Sequence, residues 1–336
     1  MPLLYQRHAA AFRAKILRYL RTFFDTRGYL EADVPVLSSL VIPESTIPLF
    51  TTTLENEDDS SNPQKLYLLP SPEYYLKHLL AAGWGSLYSL GPSFRNRETP
   101  SSRHSAEFTM LEYYTVGADY VASIDLTRQL LRDLPIRTES PAAHRLRLPI
   151  RTMTMEEAFK DLADIDLLPL VDPDDSPEGD IKALAAAHRA LSLKGMEVRP
   201  DESWDDCFQR LFLTWVEPEL PDDCPLALVD FPWRIRTTAA RKLGTPWAQR
   251  WELYLGTLEL ANVYTEETDP GLTATFFEGE QAALLQQGRQ VKVDPHFPRV
   301  AGALPPCSGA AMGVDRLVMA AGGYTRLDQI RYPYDK

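Results

Sequence analysis

Three short segments concentrate residue types able to handle phosphate, a purine and a cationic substrate. The first is Phe94-Arg95-Asn96-Arg97-Glu98, followed by Arg103-His104 and by Glu107-Phe108-Thr109-Met110-Leu111-Glu112-Tyr113-Tyr114. Alternate side chains of a strand share a face, so Phe108, Met110, Glu112 and Tyr114 project together. That face offers an aromatic plate for a purine, and a carboxylate and a phenol for a cation. Arg95, Arg103 and His104 suit phosphate oxygens. A hairpin with an ordinary solvated loop would look the same, so this segment gains weight only in company.

The second segment runs from Trp251 to Asn262. Glu252 and Glu259 are seven residues apart and would face opposite ways on one straight strand. A two-residue turn at Gly256-Thr257 instead sets Leu255 opposite Leu258 and Tyr254 opposite Glu259. The glutamates then become diagonal neighbours on one face, within about 7–8 Å. They repel there unless a cation lies between them, and magnesium takes one or two carboxylates plus substrate phosphates. The plainer alternative is a pair of glutamates on the open face of a hairpin. Asn262 and Glu266, four apart, can share a face, whereas Glu259 and Asn262, three apart, need a bulge to do so. The third segment, Cys307-Ser308-Gly309-Ala310-Ala311-Met312-Gly313-Val314-Asp315-Arg316, is small enough to let a ligand approach the backbone. It places Arg316 at the start of a helix. A glycine-containing strand-to-helix turn can equally be structural.

These segments need elements to hold them. Residues His8 to Arg27 carry Phe12, Ile16, Tyr19, Leu20, Phe23 and Phe24 at helical spacing, with Gly28 as C-cap. Tyr29 to Leu37 reads as extended, with Pro35 at an edge or interface. Glu55 to Gln64 reads as a loop or hairpin tip and Lys65 to Leu69 as a strand. Ser71-Pro72-Glu73 opens a helix, with Ser as N-cap and Pro at the first position. Leu87–Asn96 and Glu107–Val116 form two strands, and Asp125–Leu134 a helix. The Asp- and Pro-rich stretch Leu167–Asp180 marks a boundary. Ile181–Trp215 is helical, a candidate insertion at about 180–216. Leu226–Phe231 is a strand, Trp251–Tyr264 a hairpin and Thr273–Gln290 a helix. The mixture predicts an α+β fold, an antiparallel sheet flanked by helices, in a single domain over 1–336.

Composition narrows the function classes. The chain has 336 residues, 44% of them hydrophobic, enough for a sizeable core. A net charge of -12 argues against stable nucleic-acid binding and against an anionic membrane surface. Cys207, Cys224 and Cys307 are odd in number and far apart, and no CxxC or HExxH pattern occurs. No apolar run reaches the roughly 18 residues needed to span a bilayer, and the N-terminus does not read as a secretory signal. A cytoplasmic protein is expected.

Together, these segments resemble the class II aminoacyl-tRNA synthetases, and within them the lysyl branch. The first helix with Pro35 resembles motif 1, Phe94–Tyr114 motif 2 and Gly309–Arg316 motif 3. The resemblance implies an antiparallel sheet of six or seven strands, and a carboxylate that attacks the α-phosphate of ATP to give an aminoacyl-adenylate and pyrophosphate. It implies catalytic roles for Arg95 and Arg316, with Arg95 on the α-phosphate and the reacting carboxylate. Phe108 and Arg316 would sandwich adenine, Arg103 and His104 would hold the outer phosphates, and Glu98 would lie on the adenine side of the loop. Glu252 and Glu259 match the magnesium ligands. Glu73 matches the residue that receives the substrate amino group, and Glu112, Tyr114, Asn262 and Glu266 match the pocket for the lysine ammonium. Motif 1 implies a homodimer.

Two features resemble the short paralogues that ligate (R)-β-lysine to elongation factor P more than a tRNA-charging enzyme. No N-terminal OB-fold for the anticodon is expected before the motif 1 helix, and Ala311 stands where the lysyl branch carries glycine. That family implies transfer of lysine or (R)-β-lysine to a lysine side chain of elongation factor P. A truncated lysyl-tRNA synthetase and a non-catalytic paralogue are the competing readings. The sequence also departs from the pattern. The motif 2 loop is one residue longer near Arg97 and Glu98, Ser105-Ala106 replaces Asn-Pro, and Val263-Tyr264 replaces Gly-Phe beside the expected ammonium pocket.

Overall fold

Helix α1 (Arg7–Asp25) buries Ala9, Ile16, Leu20, Phe23 and Phe24 along one stripe. Its end differs from the sequence expectation: Thr26 is the C-cap, and Gly28, at φ +79°, turns the chain two residues later. This computed structural model describes residues 6–56, 59–99, 101–171 and 176–332. After α1 come β1 (Leu30–Glu31), β2 (Leu37–Ser38), β3 (Phe50–Asn56), β4 (Asp59–Leu68), α2 (Glu73–Ala81), β5 (Leu87–Phe94) and β6 (Glu107–Val116). The middle of the chain holds α3 (Tyr120–Asp133), α4 (Pro141–His144), β7 (Arg151–Thr154), α5 (Met155–Ala163), α6 (Pro177–Leu193), α7 (Trp204–Leu211) and β8 (Leu226–Val229). The last third adds β9 (Arg250–Leu255), β10 (Leu258–Thr265), α8 (Pro270–Gln286), α9 (Phe297–Gly302), β11 (Cys307–Gly313) and α10 (Val314–Gly322).

Eight strands form the main sheet in the order β1-β5-β6-β11-β10-β9-β8-β7. The expected antiparallel pairing holds from β5 to β8, but both edges are parallel, β1 to β5 and β7 to β8. A parallel edge follows when a helical crossover returns the chain in the same direction, as α5 to α7 do between β7 and β8. A second sheet, β2-β4-β3, was not foreseen. There the segment read as a loop or a long hairpin tip takes the hairpin form and continues the ladder of β3 and β4, apart from residues 57 and 58, which lie outside the described residues.

The two faces of the main sheet divide core from site. Tyr88, Leu111, Tyr113, Trp251, Leu253, Val263, Ala310 and Met312 face a core closed by α1, α3 and α10. Phe24 packs there on Tyr88 and Tyr113, with ring centroids at 5.0 and 4.7 Å. The segment expected to be helical holds α6 and α7, which break around Gly195 and end in a π-turn, Phe212–Val216. With α5 they form a second hydrophobic cluster, in which Phe208 lies between Trp204 and Phe159. That cluster continues into Leu226, Leu228 and Tyr254, so the helical layer rests on the far edge of the sheet.

Candidate active site

The opposite face of the sheet gathers the polar residues. Register partners across β5, β6, β11, β10 and β9 form one row: Ser89, Glu112, Ala311, Asn262 and Glu252. The next row sets Tyr114, Gly309, Tyr264 and Arg250 side by side. Strand alternation therefore delivers Glu112 and Tyr114 to one face, as their spacing requires. Glu112 is 3% exposed and accepts hydrogen bonds from Ser71 Oγ and, at 2.7 Å, from Tyr114 Oη.

Ser71 does this because α2 starts one residue later than expected. Pro72 occupies the cap position, and Ser71 Oγ accepts from the Glu73 amide at 3.0 Å while donating to Glu112. Burial, and next the neighbouring Glu73, push the Glu112 carboxyl up to about 8, against the pull of the Ser71 and Tyr114 hydrogen bonds. Glu266 is 3% exposed and also rises, to about 7, mainly by burial. Its partner is a residue that sequence reasoning missed. Lys77, one turn after Glu73, places Nζ 2.7 Å from Glu266 Oε2 and 2.5 Å from Glu73 Oε1. The approach to Glu266 is an ion pair outside hydrogen-bond geometry, and Glu266 Oε1 has no hydrogen-bond partner among the described residues. Gly309 makes room for it: a Cβ there would lie 2.1 Å from Glu266 Oε1 and 2.7 Å from Tyr114.

The β9–β10 hairpin forms as its spacing predicts, with Leu255 opposite Leu258 and Tyr254 opposite Glu259. The ladder then slips between Glu259 and Ala261, so Glu252 faces Asn262. This bulge puts Glu259 and Asn262 on the same face, together with Glu252 and Tyr254. Glu252 is buried and accepts from Arg250 at 2.6 Å and from Tyr254 at 2.7 Å. Burial raises its pKa and Arg250 opposes that, while Glu259 raises it further, as two converging carboxylates do. Arg250 also donates to Asn262 Oδ1 at 3.2 Å.

The nucleotide end is more open. Arg316 donates to the Glu259 carbonyl at 2.9 Å, lies 3.4 Å from its carboxylate, and meets His104 Nε2 at 2.8 Å. His104 Nδ1 is 3.1 Å from Glu98, and Arg103 donates to Thr257 at 3.1 Å. Burial, and then the Arg316 cation, lower the His104 pKa, which suits a neutral ring accepting from the guanidinium. Arg95 lies 5.3 Å from the Phe108 ring, and its Nε is buried with no hydrogen-bond partner among the described residues. Asp315 fixes the start of α10: it accepts from Arg13 at 3.2 Å, from the Thr109 amide at 2.9 Å and from Arg331 at 3.0 Å.

The sequence profile of the class II tRNA synthetases (D, K and N) matches residues 5–334. The chain belongs to this family. A relative from Vibrio cholerae, "Elongation factor P--(R)-beta-lysine ligase", is 33% identical over 96% of this chain and 94% of its own. Proteins with the same name from Yersinia enterocolitica and Proteus mirabilis are 33% and 32% identical, each over 96% of this chain and 93% of theirs.

Within this class II synthetase frame, the expected residues fall into two groups. Glu73, Glu112, Tyr114 and Glu266 gather around Lys77 and Ser71, with Ala311 and Asn262 beside Glu112 in the sheet row, while Arg316, Glu259, His104 and Glu98 are joined by contacts, Arg103 reaches Thr257, Arg95 lies near Phe108 and Glu252 faces Asn262. Lys77, Thr238, Arg250 and Tyr254 went unforeseen. The spacing of Lys77 from Glu73, one helical turn, was a usable signal. Thr238, from an irregular segment, had none. The departure at Val263-Tyr264 divides between the faces: Val263 is fully buried in the core, and only Tyr264 reaches the pocket, with its hydroxyl 3.1 Å from Thr238. Glu44 also lines this end beside Ser71 and Glu73, and burial pushes its carboxyl up to about 7. Among the described residues, no helix is long and apolar enough to cross a membrane.

Proposed function

We propose that this enzyme uses ATP to activate the carboxyl group of lysine or (R)-β-lysine, then transfers the acyl group to a lysine side chain of elongation factor P. The observation that carries the reading is the convergence of the Glu73, Glu112 and Glu266 carboxylates, with Tyr114 on Glu112 and Asn262 in the adjoining sheet row. A substrate bearing two ammonium groups meets carboxylates there, and removing one partner of such a pair would cost about 3–5 kcal/mol. The reacting carboxylate is directed toward Arg95, whose unpartnered buried Nε suits an oxygen of the carboxylate or the α-phosphate. The carboxylate attacks the α-phosphorus and pyrophosphate leaves. The acceptor amine then attacks the acyl carbon and AMP leaves. Positioning and charge neutralisation carry both steps.

Phe108 supplies the plate for adenine, and Arg316 leaves Glu259 to cover its other side. Arg103, His104 and Glu98 belong to the loop over the outer phosphates. Glu252 and Glu259 fit magnesium, because they converge on one face and phosphate oxygens complete its shell; bound there, the ion would neutralise phosphate charge. The acceptor comes from the names of the relatives, matched over nearly the full length of both chains. Homodimerisation through α1 and the extended segment belongs to the same reading, supported by Leu30 and Leu37, 47% and 41% exposed there.

ATP–pyrophosphate exchange with L-lysine and (R)-β-lysine, followed by transfer to elongation factor P or to lysine tRNA, tests the proposal. Exchange with both diamines and protein labelling are expected. Charging of tRNA without protein labelling would favour the truncated synthetase, and no exchange with any diamino acid the non-catalytic paralogue. Ala311 lies directly between Glu112 and Asn262 in the sheet, so Ala311→Gly should improve the use of L-lysine. An unchanged preference would remove it from the selectivity argument.

A further inference from the structure

A buried lysine is costly unless its charge is met, and Lys77 is only 2% exposed. Three oxygens surround its ammonium: it donates to Glu73 Oε1 at 2.5 Å and Thr238 Oγ1 at 3.2 Å, and pairs ionically with Glu266 Oε2 at 2.7 Å. Thr238 also donates to Glu73 Oε1 at 3.3 Å. Burial works against the ammonium, but Glu266 and Glu73 outweigh it and hold the amine well above its ordinary range. Both carboxylates are those the proposed function gives to substrate amino groups. Glu266 keeps capacity to spare: among the described residues its Oε1 is buried without a hydrogen bond, over a glycine that leaves it room.

The charge count makes the arrangement specific. With Glu73, Glu112 and Glu266 ionised, and the neighbouring Glu44 kept protonated by its burial and by Glu73, three negative charges meet one internal positive charge, and two remain. Two is the number of ammonium groups on a diamino acid. Without Lys77 three charges would converge, and one carboxyl would take up a proton instead of a ligand.

We propose that Lys77 is a positioning residue that ties Glu73 to Glu266 and trims the pocket charge to match a substrate with two ammonium groups. This rests on the reading of the pocket given above. Lys77 touches no reacting atom and acts through the two carboxylates.

The test compares Lys77→Met and Lys77→Arg with the wild-type enzyme in ATP–pyrophosphate exchange. Lys77→Met should raise KM for the diamino acid by about 30-fold or more, with KM for ATP within about twofold, the pattern of lost ground-state binding. The acid limb of kcat/KM for the amino acid should move to higher pH, because Glu266 loses the cation that opposes its burial. Glu73, Tyr114, Tyr264 and Cys307 also face Glu266 and remain in the variant. Lys77→Arg should recover part of the loss. In a Glu266→Gln background, Lys77→Met should cost much less, because the two act as a unit.

An amino-acid KM within about threefold of wild type, with an unmoved acid limb, would overturn the proposal. If Lys77→Met does not fold, Thr238→Val removes one partner of Nζ and should raise the same KM by a smaller factor, and no rise would count against the clamp. Glu73→Gln and Glu266→Gln separate the two levels. If neither changes the amino-acid KM, the reading of the pocket fails. If both do and Lys77→Met is silent, only the role of Lys77 fails.

Discussion

Glu112 and Glu266 are carboxyls whose function works against their surroundings. Burial raises Glu112 to about 8, so near pH 6.5 the empty pocket holds a proton there, while Glu266, raised to about 7 by burial, is opposed by the Lys77 ammonium. A bound ammonium favours the ionised forms, and binding must then expel protons. Calorimetry of diamino-acid binding at pH 6.5, in buffers of different ionisation enthalpy, should register proton release and an affinity that rises with pH through about 7–8. Binding enthalpies independent of buffer would contradict the pKa assignment. The same shift bears on stability. A carboxyl raised in the folded state contributes stability below its unfolded value near 4.5 that is lost as pH rises through about 8. Glu112→Gln should therefore melt higher than wild type at pH 9 while losing amino-acid activation. Residue types near the pocket were legible because alternation is unforgiving, and Glu112 and Tyr114 could not be separated from the same face. Lys77 was not, since a lysine on a helix ordinarily reads as solvated surface, and its burial depends on Glu266, distant in sequence.

At the scale of elements, the β9–β10 hairpin illustrates what a pattern can specify. Its turn and the pairing of Tyr254 with Glu259 followed from Gly256-Thr257, and Gly256 adopts φ +57° as a tight turn requires. The need for a bulge was visible in the separation of Glu259 and Asn262, but its position between Glu259 and Ala261 was not. Deleting Leu260 would restore the regular ladder and leave Glu252 opposite Asn262, because the pairs Ala261–Leu253 and Asn262–Glu252 already skip that residue. Exchange activity should stay within about tenfold of wild type, while loss of the buried Leu260 side chain should cost about 2–5 kcal/mol of stability. A fall in exchange beyond about 100-fold in a folded deletion variant would mean that the bulge itself positions the site. The parallel sheet edges were invisible in the sequence because strand direction is set by the path of the connecting chain, which local pattern does not encode.

For the whole molecule, the two hydrophobic clusters share strands. Leu226, Leu228 and Tyr254 belong to the cluster of the helical layer, while Ala227, Val229 and Leu253 on the same strands point into the main core. The strands thus join the layer to the catalytic sheet. Phe208, 1% exposed between Trp204 and Phe159, is the central ring of the layer. Phe208→Ala should cost about 3–5 kcal/mol and lower one common melting transition. Two separated transitions in calorimetry would indicate that the layer unfolds alone. The helical layer was expected from composition, but its attachment was not, because both faces of β8 are apolar and alternation gives no direction there.

The slipped register beside Glu259 also constrains anyone who would re-engineer this enzyme. A hairpin carrying the same residues in an unslipped ladder would have the right letters in the wrong orientation, with Ala261 opposite Glu252 and Asn262 turned away. Specificity exchange between relatives must therefore move the insertion together with the side chains, and alignments used to plan the exchange must keep the gap where the backbone keeps it.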